Sequence, residues 1–246
     1  MRLSFIFILL FFCSISYAQQ QDSVVIRGRV TDYNKQPIDS VSICWQRPDF
    51  SIATKTLTNK DGYYTARIQK GKYPSVVAIY WPSYPRFASS NLSKADQRLE
   101  FWAWDVIADR DTIFNFQYNR MEAYGLHAFR IPGAKPTYQI YVRPMSLTRA
   151  QNLADKKSPI QQLAPHANKL KVVVWIDNEE VPVLMKQEIK EYADTNQCFN
   201  AYLLTVNMPR KETKNTYRIF KVELTDLENG DRGEGLYYME KEKYYK

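Results

Sequence analysis

The stretch that decides the fold is Ile26-Arg27-Gly28-Arg29-Val30-Thr31-Asp32, followed at short intervals by Gln36-Pro37-Ile38, Val41-Ser42-Ile43 and Thr58-Asn59-Lys60-Asp61-Gly62-Tyr63-Tyr64. Val24 to Val30 alternates toward a turn spanning Asp32 to Pro37, and Val41, Ile43 and Trp45 repeat at period two. Alternation places successive side chains on opposite faces of an extended chain, so both segments read as half-buried strands. Asp61-Gly62 is a strong hairpin signal, Tyr63 to Ile68 returns from it, and Lys70-Gly71-Lys72-Tyr73 turns again before the apolar strand Val76 to Tyr80. Nothing in this region keeps a helical period. Gly28 relieves crowding within its strand, Pro37 sets a turn, and Gly62 supplies a positive φ that residues with a Cβ resist. The segment therefore reads as a small all-β sandwich of about seven short strands.

Composition agrees with that reading. The chain has 246 residues, 45% apolar and 24% charged, and its 8 glycines exclude collagen-like or low-complexity sequence. Tyrosine dominates the aromatics, with 18 Tyr against 12 Phe and 5 Trp, and tyrosine favours pleated, half-buried surfaces. The basic excess of 34 Lys/Arg over 26 Asp/Glu sits mostly in the first third and contains no run. A nucleic-acid surface needs basic residues clustered on one face among stacking aromatics, so nucleic acid is not an expected partner.

The N-terminus reads as an export leader. Arg2 is the positive region, Phe5 to Cys13 is an unbroken apolar run too short to span a membrane, and Ser16-Tyr17-Ala18 is a small-x-small cleavage pattern. Cleavage after Ala18 makes residues 1–18 the signal peptide; Phe12 before Cys13 argues against a lipoprotein. No later segment is long and apolar enough for a transmembrane helix, so a periplasmic or outer-surface location follows. That compartment permits a disulfide between Cys44 and Cys198, although two separate buried thiols are the default reading.

Residues 24–86 resemble the carboxypeptidase regulatory-like domain, a transthyretin-like β-sandwich. The matching motifs are those quoted above together with Lys70-Gly71-Lys72-Tyr73. Two positions depart from the family's pattern, which carries glycine near Lys35 and near Ser40. In zinc carboxypeptidases this module is an accessory to a separate catalytic domain that binds zinc through His and Glu. Here neither His127 nor His166 begins an H-x-x-E pair, so the resemblance implies a fold and a secreted context without peptidase activity.

Residues 87–98 (FASSNLSKADQR) are polar and read as a linker. Residues 99–246 follow as a second β-sandwich, with strands expected at 111–116, 122–131, 138–143, 170–176, 199–206, 217–224 and 235–239. Asp177-Asn178-Glu179-Glu180 is a hairpin loop, Met185 to Tyr192 is the expected short helix, and the weakly patterned Ser146 to Lys169 crosses between sheets. The fold expected is thus all-β, in two sandwiches.

The candidate ligand-binding residues are Trp81 and Tyr84, in a proline-stiffened loop, and Trp102 and Trp104, which an extended strand projects from one face. Exposed, these rings suit a sugar or a partner's aromatic; buried, they pack between the sandwiches, and packing is the default for such residues. Asp105, Asp109 and Asp111 lack Ca²⁺-loop spacing and read as solvated carboxylates. A glycosidase pair is judged by separation in space, which sequence does not provide. There is no G-x-S-x-G elbow, catalytic-Cys signature, P-loop or dinucleotide fingerprint, so no catalytic residue, metal or cofactor is assigned. The function expected is a non-catalytic binding or assembly module of the cell envelope, with an envelope protein or a glycan as partner. A carbohydrate-binding accessory protein is the alternative, and a small hydrolase on the second sandwich comes third.

Overall fold

A computed structural model describes residues 22–131, 135–153, 160–195 and 197–241. The proposed signal peptide lies outside these residues. In chain order the N-terminal strands are β1 (Ser23–Thr31), β2 (Ser42–Gln46), β3 (Ile52–Leu57), β4 (Tyr63–Gln69) and β5 (Gly71–Ile79). After an irregular stretch come β6 (Phe101–Ala108), β7 (Thr112–Ile113), β8 (Phe116–Gln117), β9 (Met121–Phe129) and β10 (Thr137–Ser146). Helix α1 (Leu147–Leu153) leads to β11 (Ile160–Gln161), β12 (Leu170–Ile176), β13 (Glu179–Val181) and β14 (Val183–Tyr192). The chain ends with β15 (Cys198–Asn207), β16 (Tyr217–Asp226) and β17 (Arg232–Glu240).

The fold is all-β, as expected, but the two sandwiches share a wall. An eight-stranded sheet of order β13-β12-β16-β17-β6-β5-β2-β3 runs through the molecule, with β17 and β6 joined in parallel. A smaller sheet, β4-β1 with β7 and β8 beside β1, packs on one face; the sheet β11-β15-β10-β9, with β14 against β15, packs on the other. Alternation in β17 shows the arrangement directly. Leu236 and Tyr238 belong to the first core with Trp45, Tyr64 and Phe101, whereas Tyr237 and Met239 belong to the second with Tyr202, Phe220 and Met121. A strand buried on both faces loses the in/out polarity pattern, which is why Gly235 to Met239 reads as an unbroken apolar run.

The first core draws on residues well past 98. Phe101, Ala103 and Val106 of β6 and Phe114, Phe116 and Tyr118 all pack in it, and β6 pairs antiparallel with β5. Residues 87–98 are tied down at several points: Arg98 N–H donates to the Ser83 carbonyl at 3.0 Å, and Leu99 N–H to that of Asn119 at 3.0 Å.

The special backbone positions of the first unit fall where its chemistry requires. A Cβ at Gly28 would lie 2.0 Å from the Phe114 carbonyl oxygen, so only glycine lets the segment joining β7 and β8 close on β1. Gly62 has φ 76, and Lys35 and Ser40, though not glycine, have φ 64 and 58. In the first turn the strain is met locally: Asp32 Oδ1 accepts the N–H groups of Asn34 and Gln36.

Three expectations are corrected. The turn at Asp61-Gly62 is real, with Asn59 Oδ1 accepting from the N–H groups of Asp61 and Tyr63, but it does not close a hairpin. It carries the chain from β3 in the large sheet to β4 in the small one, because β4 pairs with β1. Met185 to Tyr192 is not helical but forms most of β14, an edge strand paired along its length with β15. Finally, Cys44 and Cys198 are both free, buried thiols, one in β2 and one in β15, on different sheets. The Asp177-Asn178 hairpin is as expected: both residues have positive φ, 52 and 67, as a two-residue turn of the I′ kind demands.

Candidate functional site

Strand alternation in β6 turns Phe101 and Ala103 into the first core and leaves Trp102 and Trp104 on the opposite face, beside β9. Their rings stack at 5.1 Å with an interplanar angle of 11°. The Tyr124 ring of β9 is perpendicular to both, with centroids 5.6 and 5.3 Å away, the T-shaped arrangement that aromatic pairs favour. Beyond Tyr124 lies Arg143 of β10, opposite it in register, with its guanidinium 4.6 Å from the Tyr124 centroid and 4.8 Å from that of Phe199. Arg143 is fixed by Glu191 at 2.8 Å, which also accepts the Tyr141 hydroxyl. The result is a row of half-buried rings ending in an oriented cation. Both indole N–H groups are buried, with no acceptor among the described residues.

The loop after β5 carries a second aromatic group. Trp81 and Phe87 are 43% and 58% exposed, and with Tyr84 they form a three-ring cluster with centroids 5.2 to 6.2 Å apart. Pro82 and a 3₁₀ turn over Trp81–Ser83 stiffen the loop, and Tyr84 takes the N–H groups of Phe87 and Ala88 on its carbonyl.

Two acidic residues lie beside the loop cluster. The Tyr84 hydroxyl lies 3.4 Å from Glu100 Oε1, and Glu122, at the start of β9, is near enough to Glu100 to feel its charge. Glu122 is 3% exposed, and burial first, then the charge of Glu100, hold its carboxyl well above the usual carboxylate range. Burial and a second carboxyl close by both penalise its ionisation, so Glu122 keeps its proton beyond the usual carboxylate range. The folded state therefore binds that proton more tightly than the unfolded chain, whose Glu titrates near ~4.3. This contribution to stability is complete below that pH and is lost as pH rises through the folded value. Glu122→Gln is accordingly expected to flatten the decline of stability above pH ~5, where one excess proton costs up to ~1.4 kcal/mol per pH unit. Urea midpoints at acid, neutral and mildly alkaline pH measure this; parallel profiles for the two proteins would refute a proton retained on Glu122.

The four candidate residues fall in two groups, Trp81 and Tyr84 in the loop cluster and Trp102 and Trp104 in the strand stack, with Tyr84 reaching Glu100 just before β6. Glu100, Glu122, Tyr124, Arg143 and Phe199 complete the arrangement, and sequence does not single them out. Only the pairing of β9 with β10 brings Tyr124 and Arg143 face to face, and pairing register is invisible in a single strand.

The other titratable candidates are dispersed. Asp111 accepts the Val25 N–H, Asp109 binds Arg110 and the Tyr217 hydroxyl, and Asp105 is exposed. Glu179 accepts the N–H groups of Arg210 and Lys211. His127 is exposed with its ring 4.9 Å from Tyr237, and His166 is 3.6 Å from Glu188. Among the described residues, no three His, Cys, Asp or Glu gather as metal ligands, and no helix is long and apolar enough to cross a membrane.

No family profile matches the chain, and no curated protein does. Among solved structures it is similar to a DUF3823 family protein from Bacteroides ovatus ATCC 8483, at 7% identity and TM-score 0.30, covering 88% of this chain and 98% of that one. It is also similar to a candidate carbohydrate binding protein from Bacteroides uniformis ATCC 8492, at 9% identity and TM-score 0.29, covering 89% and 99%. A third likeness is to BcpA, the major pilin subunit of Bacillus cereus, at 12% identity and TM-score 0.25, covering 89% and 69%. At such TM-scores these likenesses carry no weight for function.

Proposed function

We propose that the protein is an exported, non-catalytic module of the bacterial cell envelope that binds a partner protein through the Trp81/Tyr84/Phe87 loop and the adjoining Trp102/Trp104 row. The observation that carries this reading is the exposure of Trp81 and Phe87 on a stiffened loop, where burial would otherwise hide such rings. Aromatic anchors presented on a rigid element lose little entropy on binding and dominate the energetics of protein interfaces. The N-terminal unit is read as a carboxypeptidase regulatory-like sandwich. Gly28, Gly62 and the left-handed Lys35 and Ser40 support that reading. We place the end of this unit at Tyr118, since its core draws on β6 and on Phe114 to Tyr118.

The test is retention of envelope proteins from native membranes on immobilised protein, comparing the wild type with the double variant Trp81→Ala/Phe87→Ala. Both side chains are exposed, so the variant is expected to melt within a few degrees of the wild type while its principal partner is retained at least tenfold less. Equal retention by the two proteins would end the proposal. A glycan bound in a manner that depends on Trp81 and Tyr84 would replace it with the carbohydrate-binding alternative.

A further inference from the structure

A second site lies elsewhere, where the small sheet ends and the eight-stranded sheet continues beneath it. There the structure leaves an open cleft of about 560 Å³. Trp175 of β12 and Leu236 of β17 contribute its apolar surface, Ile113 to Asn115 line one side, and the β12–β13 turn brings Asn178 to the other.

The charges beside this cleft are already matched. Lys221 lies 3.2 Å from the buried carboxylate of Glu234 and 4.5 Å from the Trp175 centroid, which fixes the indole's orientation. Asp177 binds Arg218 at 2.7 Å and takes the Ile219 N–H at 2.9 Å. The neutral polar groups, by contrast, are unspent. Among the described residues the Asn178 amide, the Trp175 indole N–H and the Tyr238 hydroxyl make no hydrogen bond, although Tyr238 is only 6% exposed. Asn115 uses its Oδ1 alone, for the Arg29 N–H at 2.8 Å. Small-molecule sites combine an apolar lining with a few fixed polar groups in a volume of about 300–1,000 Å³. This cleft has that composition and that size.

We propose that the cleft binds a neutral saccharide. A charged ligand would need an unmatched charge in the wall, and both charged side chains that line it are paired. A purely apolar ligand would leave Asn178 and Tyr238 without partners at a cost in desolvation. A pyranose ring offers an apolar C–H face for Trp175 and hydroxyls for Asn178, Asn115 and Tyr238. The tight turn at Asp177-Asn178, with both residues at positive φ, holds the amide in place before the ligand arrives.

The test applies the exported chain to an array of cello-, xylo- and manno-oligosaccharides alongside acidic polygalacturonate, and then follows the retained glycan by calorimetric titration. The wild type is expected to bind one neutral class. Trp175→Ala should weaken that binding at least tenfold, and Asn178→Gly, which removes the amide while glycine tolerates the positive φ of that turn position, several-fold. Trp175→Phe keeps a ring and should retain part of the affinity. Trp81→Ala should leave it unchanged. The proposal is overturned if no neutral glycan binds, if only the acidic polymer binds, if binding survives both Trp175→Ala and Asn178→Gly, or if Trp81→Ala weakens it equally. Retention of a partner protein through Trp81 and Phe87 is read separately, so either assignment can fail while the other stands.

Discussion

Replacing Gly233 with alanine is expected to destabilise the protein by about 3 kcal/mol or more, a large part of the ~5–15 kcal/mol that holds a domain folded. Gly233 and Gly235 lie on the face of β17 that meets the second core, and the backbone of β9 passes directly over them. A Cβ at Gly233 would sit 1.8 Å from the Met121 carbonyl oxygen and 2.6 Å from its carbon; one at Gly235 would sit 2.9 Å from the Ala123 oxygen. Overpacking against side chains costs ~1–3 kcal/mol because rotamers can give way. Here the obstacle is backbone, so relief means moving β9 away from β17 and opening the wall that both sandwiches share. Gly28→Ala meets the same kind of obstacle at Phe114 and should rank with it. Gly235→Ala should be milder, and Gly230→Asn close to neutral, since Gly230 has open space and φ 79, which Asn tolerates. Urea unfolding followed by tryptophan fluorescence gives the ranking. A Gly233→Ala protein with the wild-type midpoint would mean that β9 does not rest on β17.

These glycines mark the boundary of what sequence makes legible. Gly28, Pro37 and Gly62 sit in a local grammar of strand and turn, so the residues around them are enough to state their roles. Lys35 and Ser40 stand out in the sequence only beside the pattern of the family it resembles, and in the structure both hold a left-handed φ without being glycine. Gly233 and Gly235 give no such signal, because β9, the strand that excludes side chains there, is over a hundred residues away in the chain. Length of separation also defeats the hairpin reading of Asp61-Gly62. A turn dipeptide specifies a reversal, but whether the next strand returns to the same sheet depends on β1, which is free to pair with β4. In β14 the error has another source. An edge strand buried on neither face has no period-two pattern, and Lys186-Gln187-Glu188 is helix-favouring in isolation. Pairing with β15 overrides that preference. The candidate site follows the same rule. Trp102 and Trp104 are assigned to one face by alternation alone, whereas the Glu100–Glu122 pair and the Tyr124–Arg143 stack exist only once β6, β9 and β10 are brought together.

Asp231→Ala is expected to cost about 3–5 kcal/mol, the range for breaking a buried ion pair while leaving its partner in place. Asp231 is 3% exposed and precedes β17 in the turn from β16. Its Oδ2 accepts from the Ser146 hydroxyl at 2.6 Å and the Thr148 N–H at 2.8 Å, and its Oδ1 from the Thr148 hydroxyl at 3.0 Å and Arg120 Nε at 3.1 Å. The Thr148 N–H is one of the four that open α1 without an intrahelical acceptor, so this carboxylate caps a helix that follows the other sheet. Arg120 in turn donates to the carbonyls of Lys94 and Gln97, at 2.6 and 3.0 Å, which ties the segment before β6 to the same point. One carboxylate thus joins the β16–β17 turn, the start of β9, the helix and the loop leading to Glu100. Alanine would strand a largely buried guanidinium and two hydroxyls. Asp231→Asn keeps an oxygen for one side and places an amide against donors on the other, so it should lose less than alanine but more than ~1 kcal/mol. Thermal and urea unfolding of both variants, with Arg120→Met as the second arm of a double-mutant cycle, separates the charge from the cap. The cycle should show a coupling of at least ~1 kcal/mol between Asp231 and Arg120. Additive effects would mean that the cap alone, and not the ion pair, makes this turn the junction of the fold.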